Sequence, residues 1–375
     1  MKNKLLTTTA IASLLMASGY ASAQTTVTGN LNLNYRANSS KGDGGLASMR
    51  SIGKETQINI QNKGKTNIAG LDYAAGFSLE HDGNERSTTS QHLAGMFNEN
   101  VYIDFIMGNT TLTFGADHIQ NPDAEITSIA AMYDADDVAM SIRGTPIAVT
   151  HANSNYTSYG VGVMQNVPGI GRLSFNYTPV TNGGSANADT GTSSLDQIIG
   201  FDRGESAVGS AYEVGFIGDF GVKGLQARLF RAKVQAPNNF VTSTNLFGRD
   251  LDGYKYGLSY TVGNITAAVS KSHQEAITTT LATNTFDEFD TKSFGIGYAV
   301  SKDVSLGYNL TKSERSRITG AAVTTKSAEE KLQMLSLSYS LGPIATALQA
   351  ARADNLGGTA GVDQDSILLS FTTRF

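Results

Sequence analysis

The chain has no cysteine, no tryptophan and only six proline residues among 375. Without cysteine there is no disulfide, no thiolate nucleophile and no thiolate metal site, so something else holds the fold. Scarce proline leaves long stretches able to donate every backbone N–H to a sheet. After the N-terminus, no stretch approaches the roughly 18 consecutive apolar residues of a membrane-spanning helix. Positive charge is also short. There are 28 Lys and Arg against 33 Asp and Glu, a net charge of −5, which argues against a nucleic-acid partner.

What is abundant points one way. Forty Gly, 15 Tyr and 16 Phe suit many hydrogen-bonded strands joined by turns. At the N-terminus, Lys2 and Lys4 precede an apolar stretch over 5–16, and Ala21, Ser22 and Ala23 form an A-x-A site. This is the pattern of a cleaved export signal, and the apolar part is too short to span a bilayer. Residues 1–23 are therefore expected to be removed, leaving 24–375 as one domain that begins at Gln24. Removing two lysines leaves 26 basic against 33 acidic residues, a net charge of −7. For an exported membrane chain with no spanning helix, the remaining architecture is a closed barrel, which satisfies every backbone group internally.

The sequence alternates almost from end to end. Val27, Gly29, Leu31, Leu33 and Tyr35 alternate with Thr28, Asn30, Asn32, Asn34 and Arg36. Leu71, Tyr73, Ala75, Phe77 and Leu79 oppose Asp72, Ser78 and Glu80, and Val101, Ile103, Phe105 and Met107 oppose Asn100, Tyr102 and Asp104. Later stretches are cleaner: Tyr254, Tyr256, Leu258, Tyr260 and Val262, then Phe294, Ile296, Tyr298 and Val300, then Leu335, Leu337, Tyr339 and Leu341. Period two places each set on one face of a strand. The opposite face is mostly Ser, Thr, Asn and Gly, as a wet lumen requires.

Short turns fall near 63–65, 108–109, 167–171, 219–223, 263–264, 301–303 and 341–343. Long polar segments fall between them, at 37–54, 82–97, 118–154, 179–209, 235–250, 274–289, 314–330 and 354–362. Seven short and eight long connections separate 16 strands, with both termini at the short-turn end. The fold expected is all-β: a transmembrane antiparallel up-and-down β-barrel. Two registers are open for the hairpin around 146–160.

The chain ends Ser370, Phe371, Thr372, Thr373, Arg374, Phe375. A terminal Phe on an alternating strand, the Val27–Leu33 strand and the 16-strand rhythm together resemble the trimeric Gram-negative general porins. The resemblance implies an outer-membrane homotrimer delivered by periplasmic chaperones to the barrel-assembly machinery, with Phe375 as the assembly signal. It also implies a third long loop folded into the lumen. Here that segment, 117–153, carries Asp123, Glu125, Asp134, Asp136 and Asp137. Parity puts Arg36, Arg228 and Lys255 on the inner wall, and Arg143 follows the acidic stretch. Acids facing bases across a constriction set ion preference and orient dipolar solutes. The loop and the −7 balance favour weak cation preference.

Other functions need features that are sparse. A barrel hydrolase needs a nucleophile beside a histidine, but His81, His92, His118, His151 and His273 lie apart and no G-x-S-x-G occurs. No H-E-x-x-H or similar metal spacing occurs, and no cofactor is implied. A substrate-specific channel with a saturable site would show an aromatic ladder facing inward, whereas only Tyr102 and Phe230 do so by parity. The reading is a passive channel for ions and small hydrophilic solutes, embedded in outer-membrane lipid.

Overall fold

A computed structural model of the chain describes residues 24–42, 49–83, 97–116, 160–178, 210–234, 251–277, 285–319 and 322–375. Among the described residues, seventeen strands run in chain order. They are β1 (Gln24–Lys41), β2 (Met49–Lys65), β3 (Asp72–Gly83), β4 (Phe97–Met107), β5 (Thr110–Ala116) and β6 (Gly160–Val167). Next come β7 (Gly171–Thr178), β8 (Ala211–Gly218), β9 (Leu225–Val234), β10 (Leu251–Val262), β11 (Ile265–Ile277) and β12 (Thr285–Ala299). The last are β13 (Val304–Thr319), β14 (Ala322–Lys326), β15 (Glu330–Leu341), β16 (Ile344–Asp354) and β17 (Asp363–Arg374). No described helix is long and apolar enough to cross a membrane.

Each barrel strand pairs antiparallel with the next, and β17 returns to pair with β1 from Asn30↔Arg374 to Lys41↔Asp363. β14 stands apart from the ring. It folds back only on the far end of β13, while β13 also pairs directly with β15. The closed barrel therefore has 16 strands, as expected.

The expected loop boundaries are corrected in four places. The supposed loops 37–54, 274–289 and 314–330 are largely strand, because β1, β2, β11, β12 and β13 run into them. Beyond the lipid both faces of a strand meet water, so alternation fades while the backbone ladder continues. The supposed turn at 63–65 is the end of β2, where Lys63 and Lys65 pair with Ala74 and Asp72, and the turn follows it. At the other turns the reading holds. Gly108, Gly263 and Gly342 open two-residue turns with φ of 58°, 58° and 60°, values that favour glycine. β6 starts at Gly160 and pairs with β5 from Thr110↔Gln165 to Gly115↔Gly160.

The two faces differ sharply. Leu173, Phe175, Tyr177, Val214, Leu229, Tyr256, Leu258, Phe294, Ile296, Leu335 and Phe371 point outward and are exposed. On the inner face Thr113, Asn176, Gln349 and Gln364 are 2% exposed or less. Asn32 Oδ1, Gln349 Oε1 and Ser366 Oγ, all on the inner face, are buried and have no hydrogen-bond partner among the described residues. This is a sheet with a polar inner face and an apolar outer face, the reverse of a soluble barrel.

The seam shows why Gly29 is glycine. Phe375 donates its N–H to Gly29 O at 3.0 Å and accepts the Gly29 N–H at 2.8 Å. A Cβ at residue 29 would sit 2.5 Å from Phe375 Cζ and 2.6 Å from Gln57 O. Gly29→Val is expected to weaken the barrel by about 1–3 kcal/mol. Denaturant unfolding in detergent micelles checks this, and wild-type stability would contradict it.

Candidate functional site: the lumen wall

The wall is built from alternate residues of long strands, so register decides what faces the lumen. Lys255 on β10 lies opposite Phe230 on β9 and Ser272 on β11. Arg228 lies opposite Gly257 and Ile217, and Ile217 lies opposite Arg172 on β7. Arg36 lies opposite Ser51 and Leu368. Arg36, Arg228 and Lys255 are thus on the inner face, as parity predicts. So are Tyr102 and Phe230, which are 7% and 4% exposed. Asp123, Glu125, Asp134, Asp136, Asp137 and Arg143 lie outside the described residues.

Sequence reasoning misses part of this wall. Arg172 shares a row with Arg228, separated by the Ile217 side chain. Arg228 donates from Nε and Nη2 to Gln226 Oε1 at 3.1 and 2.8 Å, which holds the guanidinium along the wall. Asp104 accepts from the Thr113 hydroxyl at 2.6 Å, and Glu213 accepts from Asn176 Nδ2 at 3.2 Å. Gln61 donates to the Tyr102 hydroxyl. Ser78 donates to Asn59 Oδ1 at 2.7 Å and accepts from Asn100 Nδ2 at 2.9 Å. The alternation of each strand shows its inward residues, but which of them meet depends on pairing register. From β7 to β10 the inner face carries Arg172, Arg228 and Lys255 against Glu213, so this sector is net positive.

Near the long-loop end the wall is closed by stronger pairs. Arg317 donates from Nε and Nη2 to the two oxygens of Asp287 at 2.9 and 3.1 Å, a bidentate geometry that fixes both side chains. Glu330 is fully buried and accepts the Gly357 N–H at 2.6 Å. On the β14 hairpin, the Glu314 carboxylate 2.8 Å away holds Lys326 above the usual lysine range.

The outer wall near the long-loop end also has polar groups that no linear motif reveals. His273 Nδ1 lies 3.1 Å from Asp290 Oδ1 and its ring stacks on Tyr254 at 5.2 Å. Ligand atoms of His273, Glu275 and Glu288 lie within 4.8 Å of one another. Glu288 comes from the neighbouring strand, which is why metal spacing in the sequence does not reveal the group. Glu275 also accepts the Asp252 N–H at 2.9 Å.

The chain that builds this wall, polar within and apolar without, matches a family model described as Gram-negative porin over residues 7–355. The chain belongs to the Gram-negative porin family. It is an outer-membrane β-barrel channel. Similar solved structures share its fold. Salmonella typhi OmpF, in complex with daunomycin, has a TM-score of 0.63 at 11% identity, over 94% of this chain and 98% of that one. The trimer form of Vibrio cholerae OmpT, an outer membrane protein, has 0.61 at 12%, over 95% and 100%. An anion-selective porin from Comamonas acidovorans has 0.60 at 14%, over 94% and 100%. No curated protein matches the chain in sequence.

Replacing Arg172 and Arg228 with Gln removes two neighbouring positive charges from one row of this porin's wall. The reversal potential under a KCl gradient is expected to move toward cation preference. An unchanged potential would show that the row does not border the ion path.

Proposed function

We infer that this porin is a passive diffusion channel for ions and small hydrophilic solutes, weakly cation-preferring, with no catalytic step. The observation that carries the reading is the partition of faces: polar side chains line the inside of a closed ladder whose outside is apolar. Such a lumen lets hydrated solutes run down their gradients with no cofactor or energy source. The constriction is assigned to the 117–153 segment, whose Asp123, Glu125, Asp134, Asp136 and Asp137 would face the basic wall at Arg36, Arg228 and Lys255, with Arg143 beside them. Opposed charges across a narrow passage create a transverse field. Screening within about 8–10 Å confines that field to the passage itself. Five carboxylates and the −7 balance of residues 24–375 support the cation side.

The working unit is read as a homotrimer packed through apolar outer surface, a reading supported by the trimer form of the Vibrio cholerae relative. Residues 1–23 would be removed on export. Periplasmic chaperones and assembly machinery would carry the barrel to the outer membrane and read its Phe375 end. The alternative, a saturable site for one solute, would use an inward aromatic ladder, and inward aromatics such as Tyr102 and Phe230 are sparse among the described residues.

Planar-bilayer recording from the purified protein tests the reading. Large ohmic conductance in steps of three, with a cation-sign reversal potential under a KCl gradient, is the expected result. A folded barrel with no conductance would overturn it, and block by one solute at micromolar level would favour the saturable site. Neutralising the five acids to Asn and Gln is expected to move the reversal potential toward anions. No shift would remove the loop from the selectivity account.

A further inference from the structure

Two glutamates face each other across the outer wall near the long-loop end. Glu275 on β11 is directly opposite Glu288 on β12, and one tier nearer the lipid His273 is directly opposite Asp290. All four share the outward parity of Val269 and Phe294, which are exposed apolar residues. Lys271 and Lys292 stand between that apolar pair and the cluster. The cluster therefore lies beyond the lipid-facing band, on the side where long loops lie, which in this family is the external one.

Like charges directly opposite across a sheet destabilise it. Burial sharpens the cost, because Glu275 is only 6% exposed and water screens it poorly. Among the described residues Glu288 has no basic side chain within ion-pair distance. Cations on neighbouring strands are engaged, Arg231 with Asp252 at 3.1 Å and Lys326 with Glu314 at 2.8 Å. A cation between the two carboxylates would turn their repulsion into attraction. The side chains are set for one. Ligand atoms of His273, Glu275 and Glu288 lie within 4.8 Å of one another. A metal that takes each at about 2.0–2.2 Å spans ligand atoms roughly 4 Å apart, so small movements of flexible side-chain ends complete the site. The Asp252 N–H, 2.9 Å away, fixes the Glu275 carboxylate. The His273 ring stacks on Tyr254 at 5.2 Å and 19°, and its Nδ1 lies 3.1 Å from Asp290 Oδ1. A carboxylate only accepts, so this bond puts the proton on Nδ1. The lone pair is then on the other ring nitrogen, as in a carboxylate–histidine–metal triad.

We propose that His273, Glu275 and Glu288 bind a divalent transition cation of the zinc class at the external rim, tying β11 to β12. One imidazole nitrogen with two carboxylates favours zinc over calcium and magnesium, which take oxygen ligands. Zinc has no geometric preference of its own from d-electrons, so it accepts the spacing that two paired strands impose. Asp290 orients the histidine, and Tyr254 holds the ring in its plane.

The test is equilibrium dialysis of the folded, detergent-solubilised porin against Zn²⁺, with Ca²⁺ as the comparison probe and bound metal counted by atomic emission. Wild type is expected to retain Zn²⁺ over Ca²⁺. H273Q and E288Q are each expected to weaken zinc binding at this site by roughly tenfold or more. H81Q, which alters a histidine on β3, keeps it. Zn²⁺ is also expected to raise the thermal midpoint of wild type and not that of H273Q. Equal zinc retention by wild type and both variants would overturn the proposal, as would loss on H81Q in place of H273Q. Calcium retention that matches zinc would overturn it too, by marking an acidic surface with no role for the imidazole. Should H273Q not fold, E288Q, which replaces a single oxygen, must still weaken zinc binding, and unchanged retention there would count against the site.

Discussion

The structure depends on closing the backbone hydrogen-bond ladder. In lipid an unsatisfied N–H or C=O costs several kcal/mol, with no water to offset it. The seam between β1 and β17 joins twelve residue pairs, so opening it would cost on the order of tens of kcal/mol. That constraint explains the composition: few prolines to interrupt donation, and glycine where strands turn or approach closely. Phe375 extends the seam by one residue through its exchange with Gly29.

Once the ladder is closed, alternation divides the labour. Residues facing outward need only be apolar over the lipid band. Residues facing inward are free to carry charge, because water and neighbouring side chains solvate them. Asp104 with Thr113, Glu213 with Asn176, and Arg228 with Gln226 show how the inner charges are held against the wall. Their positions are fixed by strands rather than by loops. A charge pattern held this way can bias ion flow without any moving part.

How much of this can be read in the sequence depends on whether period or register carries the information. Period two alone fixes which side of its strand a residue takes, and it suffices to assign Arg36, Arg228, Lys255, Tyr102 and Phe230 inward. Register is not written in one strand. Arg172 and Arg228 are 56 positions apart in the chain, and nothing local marks them as neighbours around Ile217. The same holds for Glu288 beside His273 and Glu275. Periodicity misplaces the strand ends wherever β1, β2, β11, β12 and β13 leave the lipid, since water on both faces removes the alternation. The acids from Asp123 to Asp137, together with Arg143, lie outside the described residues, so their place at the constriction rests on the proposal.

The partition of faces is tested most directly by thiol accessibility, for which a chain without cysteine is a ready background. Ser270 and Ser293 are opposite one another and face inward, while the adjacent Val269 and Phe294 are opposite one another and face outward. Single cysteines at these four positions, in barrels reconstituted in lipid, would be exposed to a charged, membrane-impermeant thiol reagent. The account predicts rapid labelling at 270 and 293 and protection at 269 and 294. Equal labelling at all four, or protection of the inward pair, would contradict a water-filled lumen.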